Sequence, residues 1–325
     1  MDPAQTGRTP HTLRRNLIIF TISIVASGWV GIAIDKLTGQ PDYQDVATLN
    51  GGGTLGMGVW TVAPLLVVIA LRTFCGDGWK NAGYALSIRG NAWLYALSIA
   101  VYPATTFVVI LVGTQVGAMH VAALNMSAVL MLIASQFAIQ CAKNFFEESL
   151  WRGYLTNQLL KLTISDWKLY LIAGLVWWAW HLPYWFVMLS TKEVESIVPA
   201  GRIVLVVAAI LVFFCWNVMF TEIFRVTRSI WPLVLAHALE DAVTLPLLID
   251  GTITLDPRWA LVFSTNTGLL PAVILLSVGL GIRRWRIKKT RPKQTGITDD
   301  ETPLAGRAVM LRWGAITHRG SNFVK

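Results

Sequence analysis

Eight apolar runs set the terms for this chain: 17–34, 55–73, 92–113, 121–142, 168–189, 203–220, 232–249 and 259–282. Each is close to the roughly 20 residues a helix needs to cross a bilayer core. Inside hydrocarbon the backbone N–H and C=O groups can bond only within the protein, so such runs are expected as helices. Composition agrees with this. The 325 residues are 54% hydrophobic and 14% charged, with a mean hydropathy of +0.56, whereas a soluble domain carries about 25% charged residues. The expected fold is all-α: a polytopic membrane helical bundle of about eight transmembrane helices. The run at 232–249 is the weakest, because it contains His237, Glu240 and Asp241.

The net charge of +9 does not point to nucleic acid. Residues 283–325 hold eleven Lys/Arg against three acids, and residues 1–16 hold three against one. The stretch 17–282 is close to neutral, so the basicity sits in membrane-flanking tails. Eight spans put both termini on one side. With that side inside, the inner segments hold 23 of the 27 bases, leaving Lys36, Lys192, Arg202 and Arg258 outside. The positive-inside rule therefore favours cytoplasmic termini. The expected organisation is a basic cytoplasmic N-tail (1–16), one transmembrane domain (17–282) and a basic, disordered cytoplasmic tail (283–325). The run Arg283–Lys293 reads as an orientation anchor, and binding of anionic headgroups would follow from the same charges. Cys75, Cys141 and Cys215 form neither a disulfide framework nor a metal-type spacing. The first run has no small-residue cleavage site and reads as a retained span. Gly51-Gly52-Gly53, with Gly56 and Gly58, reads as a flexible connector.

Ionisable side chains inside spans cost about 2.5–3.5 kcal/mol each on insertion scales, so each asks for a function. Three groups stand out. The helix continuing from the fourth run carries Glu147, Glu148 and Arg152; Glu148 and Arg152 have i,i+4 spacing and suit an ion pair. That pairing would leave Glu147 available. The fifth run carries Trp177-Trp178-Ala179-Trp180-His181, and the seventh carries His237-Ala-Leu-Glu240-Asp241. His237 and Asp241, four residues apart, share one helix face. Imidazole and carboxylate together suit the activation of a water or the holding of a divalent metal. A carboxylate desolvated among apolar side chains becomes a usable base near neutrality. Each group taken singly also fits a core histidine, a solvated interfacial segment or a helix-stabilising pair.

Glu147-Glu148-x-x-x-Arg152, then an aromatic-x-x-x-His, then His-x-x-x-Asp, in that order on successive spans, resembles the CPBP (Abi) family. These are intramembrane proteases that include the type II CAAX prenyl endopeptidases. The resemblance covers roughly residues 120–250. It implies Glu147 as general base on a water, His181 and His237 as holders of that water and of the oxyanion, and Asp241 at a position the family fills with Asn or Asp. Glu148, Arg152 and Trp177 would support the site. A zinc-type divalent ion on His181, His237 and Glu147 is compatible with the resemblance, as is a bare activated water. The sequence departs from the family at Trp177, where Phe is commoner. Helix rise adds a second tension: His181 lies about 20 Å beyond Lys168, but His237 only about 8 Å beyond Pro232.

The expected function is an intramembrane endopeptidase, CAAX-protease-like, that hydrolyses a peptide bond of a membrane-anchored substrate. Its partners would be that substrate and the lipid bilayer, with no nucleic acid. Its place would be a bacterial cell membrane, with the site toward the cytoplasmic side. Two alternatives compete. A non-catalytic scaffold or immunity protein of the same fold would tolerate loss of Glu147. A proton-coupled transporter would use the same groups as a relay, but transporters usually carry repeated halves, and residues 17–140 have no counterpart of the His/acid set.

Overall fold

A computed structural model of the chain describes residues 10–46, 53–122, 126–244, 246–249 and 251–290. The Gly51–Gly52 part of the expected connector and the tail from 291 onward lie outside these residues. The described residues up to Lys289 form one compact unit. In chain order the helices are α1 (Pro10–Thr38), α2 (Leu55–Thr73), α3 (Ala92–Gln115), α4 (Met126–Glu148), α5 (Asn157–Leu159), α6 (Asp166–Pro183), α7 (Thr191–Ile197), α8 (Arg202–Thr227), α9 (Trp231–Val243), α10 (Pro246–Ile249), α11 (Ala260–Phe263) and α12 (Leu269–Thr290). Two segments have the wider π-helical turn, Ser149–Thr156 after α4 and Tyr184–Met188 after α6. Two short strands, β1 (Met119–Val121) and β2 (Ile253–Leu255), pair antiparallel with His120 opposite Thr254.

The fold is the expected all-α membrane bundle. Among the described residues seven helices are long and apolar enough to cross a membrane, not eight. The run at 259–282 is broken: residues 260–263 form α11, a turn follows, and α12 starts only at Leu269. The reason is Ser264-Thr265-Asn266-Thr267-Gly268, whose polar side chains bond to other segments instead of continuing a helix. Ser264 Oγ bonds Ile197 O at 3.0 Å, and Thr265 Oγ1 bonds Thr244 O at 3.0 Å. The run expected at 121–142 also begins later, because Val121 belongs to β1. The helical part of the N-terminal segment begins at Pro10, and α12 carries its helix through the first basic residues to Thr290.

Small residues let the helices approach closely, as membrane bundles require when no hydrophobic effect drives association. A Cβ on Gly56 of α2 would lie 2.2 Å from the Gly31 carbonyl oxygen of α1. A Cβ on Gly279 of α12 would lie 2.7 Å from the Met219 amide nitrogen of α8. At the C-terminal end of α1, buried Asp35 accepts from the Tyr43 hydroxyl at 2.5 Å, the Thr54 hydroxyl at 2.5 Å and the Gly56 amide at 2.6 Å. Burial, and then the Asp35 carboxylate, raise the Tyr43 phenol above its ordinary range, so it stays a donor.

The connections expected inside collect at one end of the bundle. Arg72, closing α2, donates to Gly153 O at 2.5 Å. Asn157 donates to Asn81 O at 2.7 Å, and the Ile230 amide to Gly83 O at 2.9 Å. Asn16 of α1 reaches Asp77 at 3.1 Å. At the same end α12 is clamped by charge. Asp166 and Glu222 face Arg225, Arg283 and Arg286, with Arg286 Nε 2.6 Å from Glu222 Oε2 and Arg283 3.0 Å from Asp166. The Tyr170 hydroxyl donates to Glu222 as well. The pair Glu222–Arg225 is thus part of a network in which Glu222 is fully buried.

Candidate active site

The second half of the chain packs its polar side chains where α4, α6, α8 and α9 meet. The end of α4 supplies Lys143, Asn144, Glu147 and Glu148 on its inward side, and the π-helical turn that follows supplies Trp151 and Arg152. π-Helical turns of this kind occur often at functional sites, because they re-aim side chains that an α-helix would carry past. α9 supplies His237, Glu240 and Asp241. α6, whose first turn is capped by the Ser165 hydroxyl accepting from the Lys168 amide at 3.3 Å, supplies Trp177 and His181.

Glu148 and Arg152 pair as their spacing suggests, with Arg152 Nη1 3.0 Å from Glu148 Oε1 and both side chains wholly buried. Arg152 is held between the faces of Trp177 and Phe220, at 4.4 and 4.3 Å to the ring centroids. A desolvated guanidinium between two aromatic faces gains cation–π attraction, and Nη2 also reaches Asn217 Oδ1 at 3.4 Å. The same Glu148 oxygen accepts from His237 Nδ1 at 2.9 Å. An imidazole whose Nδ1–H is fixed by a carboxylate has its ring orientation and tautomer set. Its other nitrogen, Nε2, then lies 4.0 Å from Glu147 Oε2.

Glu147 is not left unpaired. Its Oε1 lies 3.0 Å from Lys143 Nζ, and its Oε2 accepts from Trp151 Nε1 at 3.4 Å. Lys143 also reaches Asp241 Oδ2 at 3.0 Å, where Asn144 Nδ2 donates at 2.7 Å. Lys143, Asn144, Trp151 and Asn217 were not singled out from the sequence. For Lys143 a signal was present: it stands four residues before Glu147 on the same helix face. Glu240 points to a different set of partners, accepting from Thr244 Oγ1 at 2.8 Å and Asn266 Nδ2 at 2.7 Å.

His181 joins this group through aromatic rings. Among the described residues its polar partner is the Trp177 carbonyl, 3.0 Å from Nδ1. A carbonyl only accepts, so Nδ1 carries the hydrogen, and in the neutral ring Nε2 keeps its lone pair. The ring stacks on Trp185 at 5.1 Å and meets Trp180 and Phe213 edge-on at 4.7 and 4.9 Å. Trp177 lies between the two histidines, 6.4 Å from His181 and 5.4 Å from His237. Side chains on a helix tilt toward its N-terminus, which carries Trp177 from the His181 level toward Phe220 and His237.

Of the metal-ligating sets, His237, Glu240 and Asp241 each offer one ligand atom, all within 4.8 Å of one another. One imidazole nitrogen with two carboxylate oxygens is a donor set that suits a divalent ion. In the set Glu147, His181 and His237, only Glu147 and His237 approach each other through polar atoms, at 4.0 Å.

Residues 127–243 match the family model described as type II CAAX prenyl endopeptidase Rce1-like. That match relates the chain to the CPBP family of intramembrane proteases, the class its motifs resemble. The matched stretch includes Lys143, Glu147, Glu148, Arg152, Trp177, His181, His237 and Asp241, and it begins after α3. No curated protein matches the chain.

Proposed function

We propose that this protein is an intramembrane endopeptidase in which Glu147 activates a water held against His237. The observation that carries this reading is the pairing of Glu148 with His237 Nδ1 at 2.9 Å, which turns Nε2 toward Glu147 Oε2 at 4.0 Å. Two polar atoms at that separation can both bond one water at ~2.8 Å each. Glu147 takes a proton from the water as its oxygen attacks the scissile carbonyl carbon. That proton passes to the amide nitrogen as the C–N bond breaks, leaving a carboxylic acid and an amine, between which the last proton then moves to give carboxylate and ammonium. His181, whose Nδ1 hydrogen is held by the Trp177 carbonyl, keeps an acceptor at Nε2, which suits holding the attacking water. Glu148 and Arg152 hold His237, and Trp177 fixes the spacing of the two imidazoles. Asp241 is held by Lys143 and Asn144 beside Glu147. A divalent ion bound here would be held by His237, Glu240 and Asp241 and would polarise a carbonyl or a water as a Lewis acid.

The family description supplies the first substrate class to test, a prenylated CAAX C-terminus, within the wider class of membrane-anchored peptides. The termini and the polar end of the bundle are read as cytoplasmic, in a bacterial cell membrane. The test uses the full chain in lipid with a pool of membrane-anchored peptides, prenylated and unprenylated. Cleavage by the wild type and its loss in Glu147→Gln, His181→Ala and His237→Ala are expected, with and without chelator. Equal cleavage by the three variants would remove the assignment. A deletion phenotype that Glu147→Gln still rescues would favour a scaffold of the same fold.

A further inference from the structure

The Lys143 ammonium sits between two carboxylates from different helices. Nζ is 3.0 Å from Glu147 Oε1 on α4 and 3.0 Å from Asp241 Oδ2 on α9. One cation bridging two carboxylates is the arrangement a bound divalent ion adopts in many hydrolytic sites. Lys143 is 40% exposed, but the carboxylates it bridges are only 2% and 17% exposed, and an ammonium and a divalent ion on the same two carboxylates repel each other at short range. Asp241 belongs both to this bridge and to the set of ligand atoms it forms with His237 and Glu240.

We infer that Lys143 is the resident cation of this site: it ties Glu147 to Asp241 and keeps divalent ions from binding across the two carboxylates. The inference rests on the proposed reading of Glu147 and Asp241 as the working carboxylates, but its physical content does not depend on turnover. With Lys143 on Oε1, the other oxygen of Glu147 is presented to Trp151 Nε1 at 3.4 Å and His237 Nε2 at 4.0 Å. Lys143 is therefore a positioning residue: it fixes which edge of the base faces the histidine. A neutral side chain there would leave two uncompensated carboxylates beside an imidazole, a set with affinity for zinc.

The experiment measures Zn²⁺ affinity and bound-metal stoichiometry on the full chain in lipid nanodiscs, together with peptide cleavage. The proteins are wild type, Lys143→Met, Lys143→Gln and Lys143→Arg, with Glu147→Gln and Asp241→Asn added to the neutral variants. Lys143→Gln replaces Lys143→Met if the latter fails to fold. The neutral variants are expected to bind zinc at least tenfold more tightly than wild type, Lys143→Arg to remain near wild type, and the gain to vanish with Glu147→Gln or Asp241→Asn. In cleavage, kcat is expected to fall at least tenfold in the neutral variants with KM within twofold, and Lys143→Arg to restore most of it. Zinc binding no tighter than wild type, or a gain that survives both carboxylate substitutions, would overturn the inference. If the wild type cleaves no peptide while the zinc titrations behave as expected, the peptidase reading fails and the role of Lys143 stands.

Discussion

Glu148 Oε1 is shared by Arg152 at 3.0 Å and His237 Nδ1 at 2.9 Å, so one buried oxygen fixes both a structural cation and a candidate working imidazole. The contact joins residues 89 positions apart, and it divides the labour between adjacent glutamates. Glu148 orients; Glu147 faces the free nitrogen of the ring. Arg152→Met leaves Glu148 buried without its guanidinium and is expected to destabilise the protein by about 3–5 kcal/mol, the usual result of breaking a buried ion pair from one side. Thermal unfolding in detergent, followed by tryptophan fluorescence, checks this.

Glu147→Gln is expected to leave the thermal midpoint nearly unchanged while cleavage falls by about 10²–10⁴, the range that general acid–base catalysis contributes. The amide keeps the volume and can still accept from Trp151 and Lys143, and the half-exposed Lys143 keeps Asp241 as its counter-charge, so packing survives while the base is lost. Comparing activity with the unfolding midpoint of the same preparation separates the two effects.

Arg286→Ala removes the hydrogen bonds to Glu222 at 2.6 and 3.0 Å. The expected loss is about 1.5–3 kcal/mol, the range for hydrogen bonds to charged groups. Arg284, exposed on the same helix, is a control whose replacement by Ala is expected to change stability by less than about 0.5 kcal/mol. Equal effects of the two substitutions would show that the basic run acts only through its overall charge.

Single cysteines placed at Lys80 and Arg228, in a chain whose three native cysteines are replaced, are expected to react with an impermeant thiol reagent only from the cytoplasmic side. Cysteines at Lys192 and Arg258 are expected to react only from the opposite side. The loop holding Lys80 is bound to the α8–α9 connection through Ile230 and Gly83, so those two positions must label together.

Much of the site was readable because its chemistry follows helical spacing. Glu148–Arg152 and His237–Asp241 are i,i+4 relationships, and an isolated charge in an apolar run announces itself. The contact between Glu148 and His237 was not readable, since nothing in local periodicity specifies which helices meet. Lys143 was missed for a different reason: as a base near a span end it was fully accounted for by the charge asymmetry, although its spacing to Glu147 was in plain view. The eighth apolar run failed as a continuous helix at Ser264–Gly268, where five residues that form side-chain and turn bonds interrupt an otherwise hydrophobic stretch. Average hydropathy does not register that interruption. Trp177 shows the opposite case: a departure from the commoner Phe is the ring that lies between the two histidines.

The clamp on α12 also has a bearing on the order in which the molecule is made. Arg286 meets Glu222 across 64 residues and Asp166 across 120. A ribosome therefore delivers both carboxylates well before it delivers the guanidinium that neutralises them. Until then Glu222 has Arg225 as its nearest compensation, and the groove on α8 where Gly279 packs against Met219 is open to lipid. A nascent chain halted before residue 283 thus holds the whole candidate site without the charges by which α12 locks its frame.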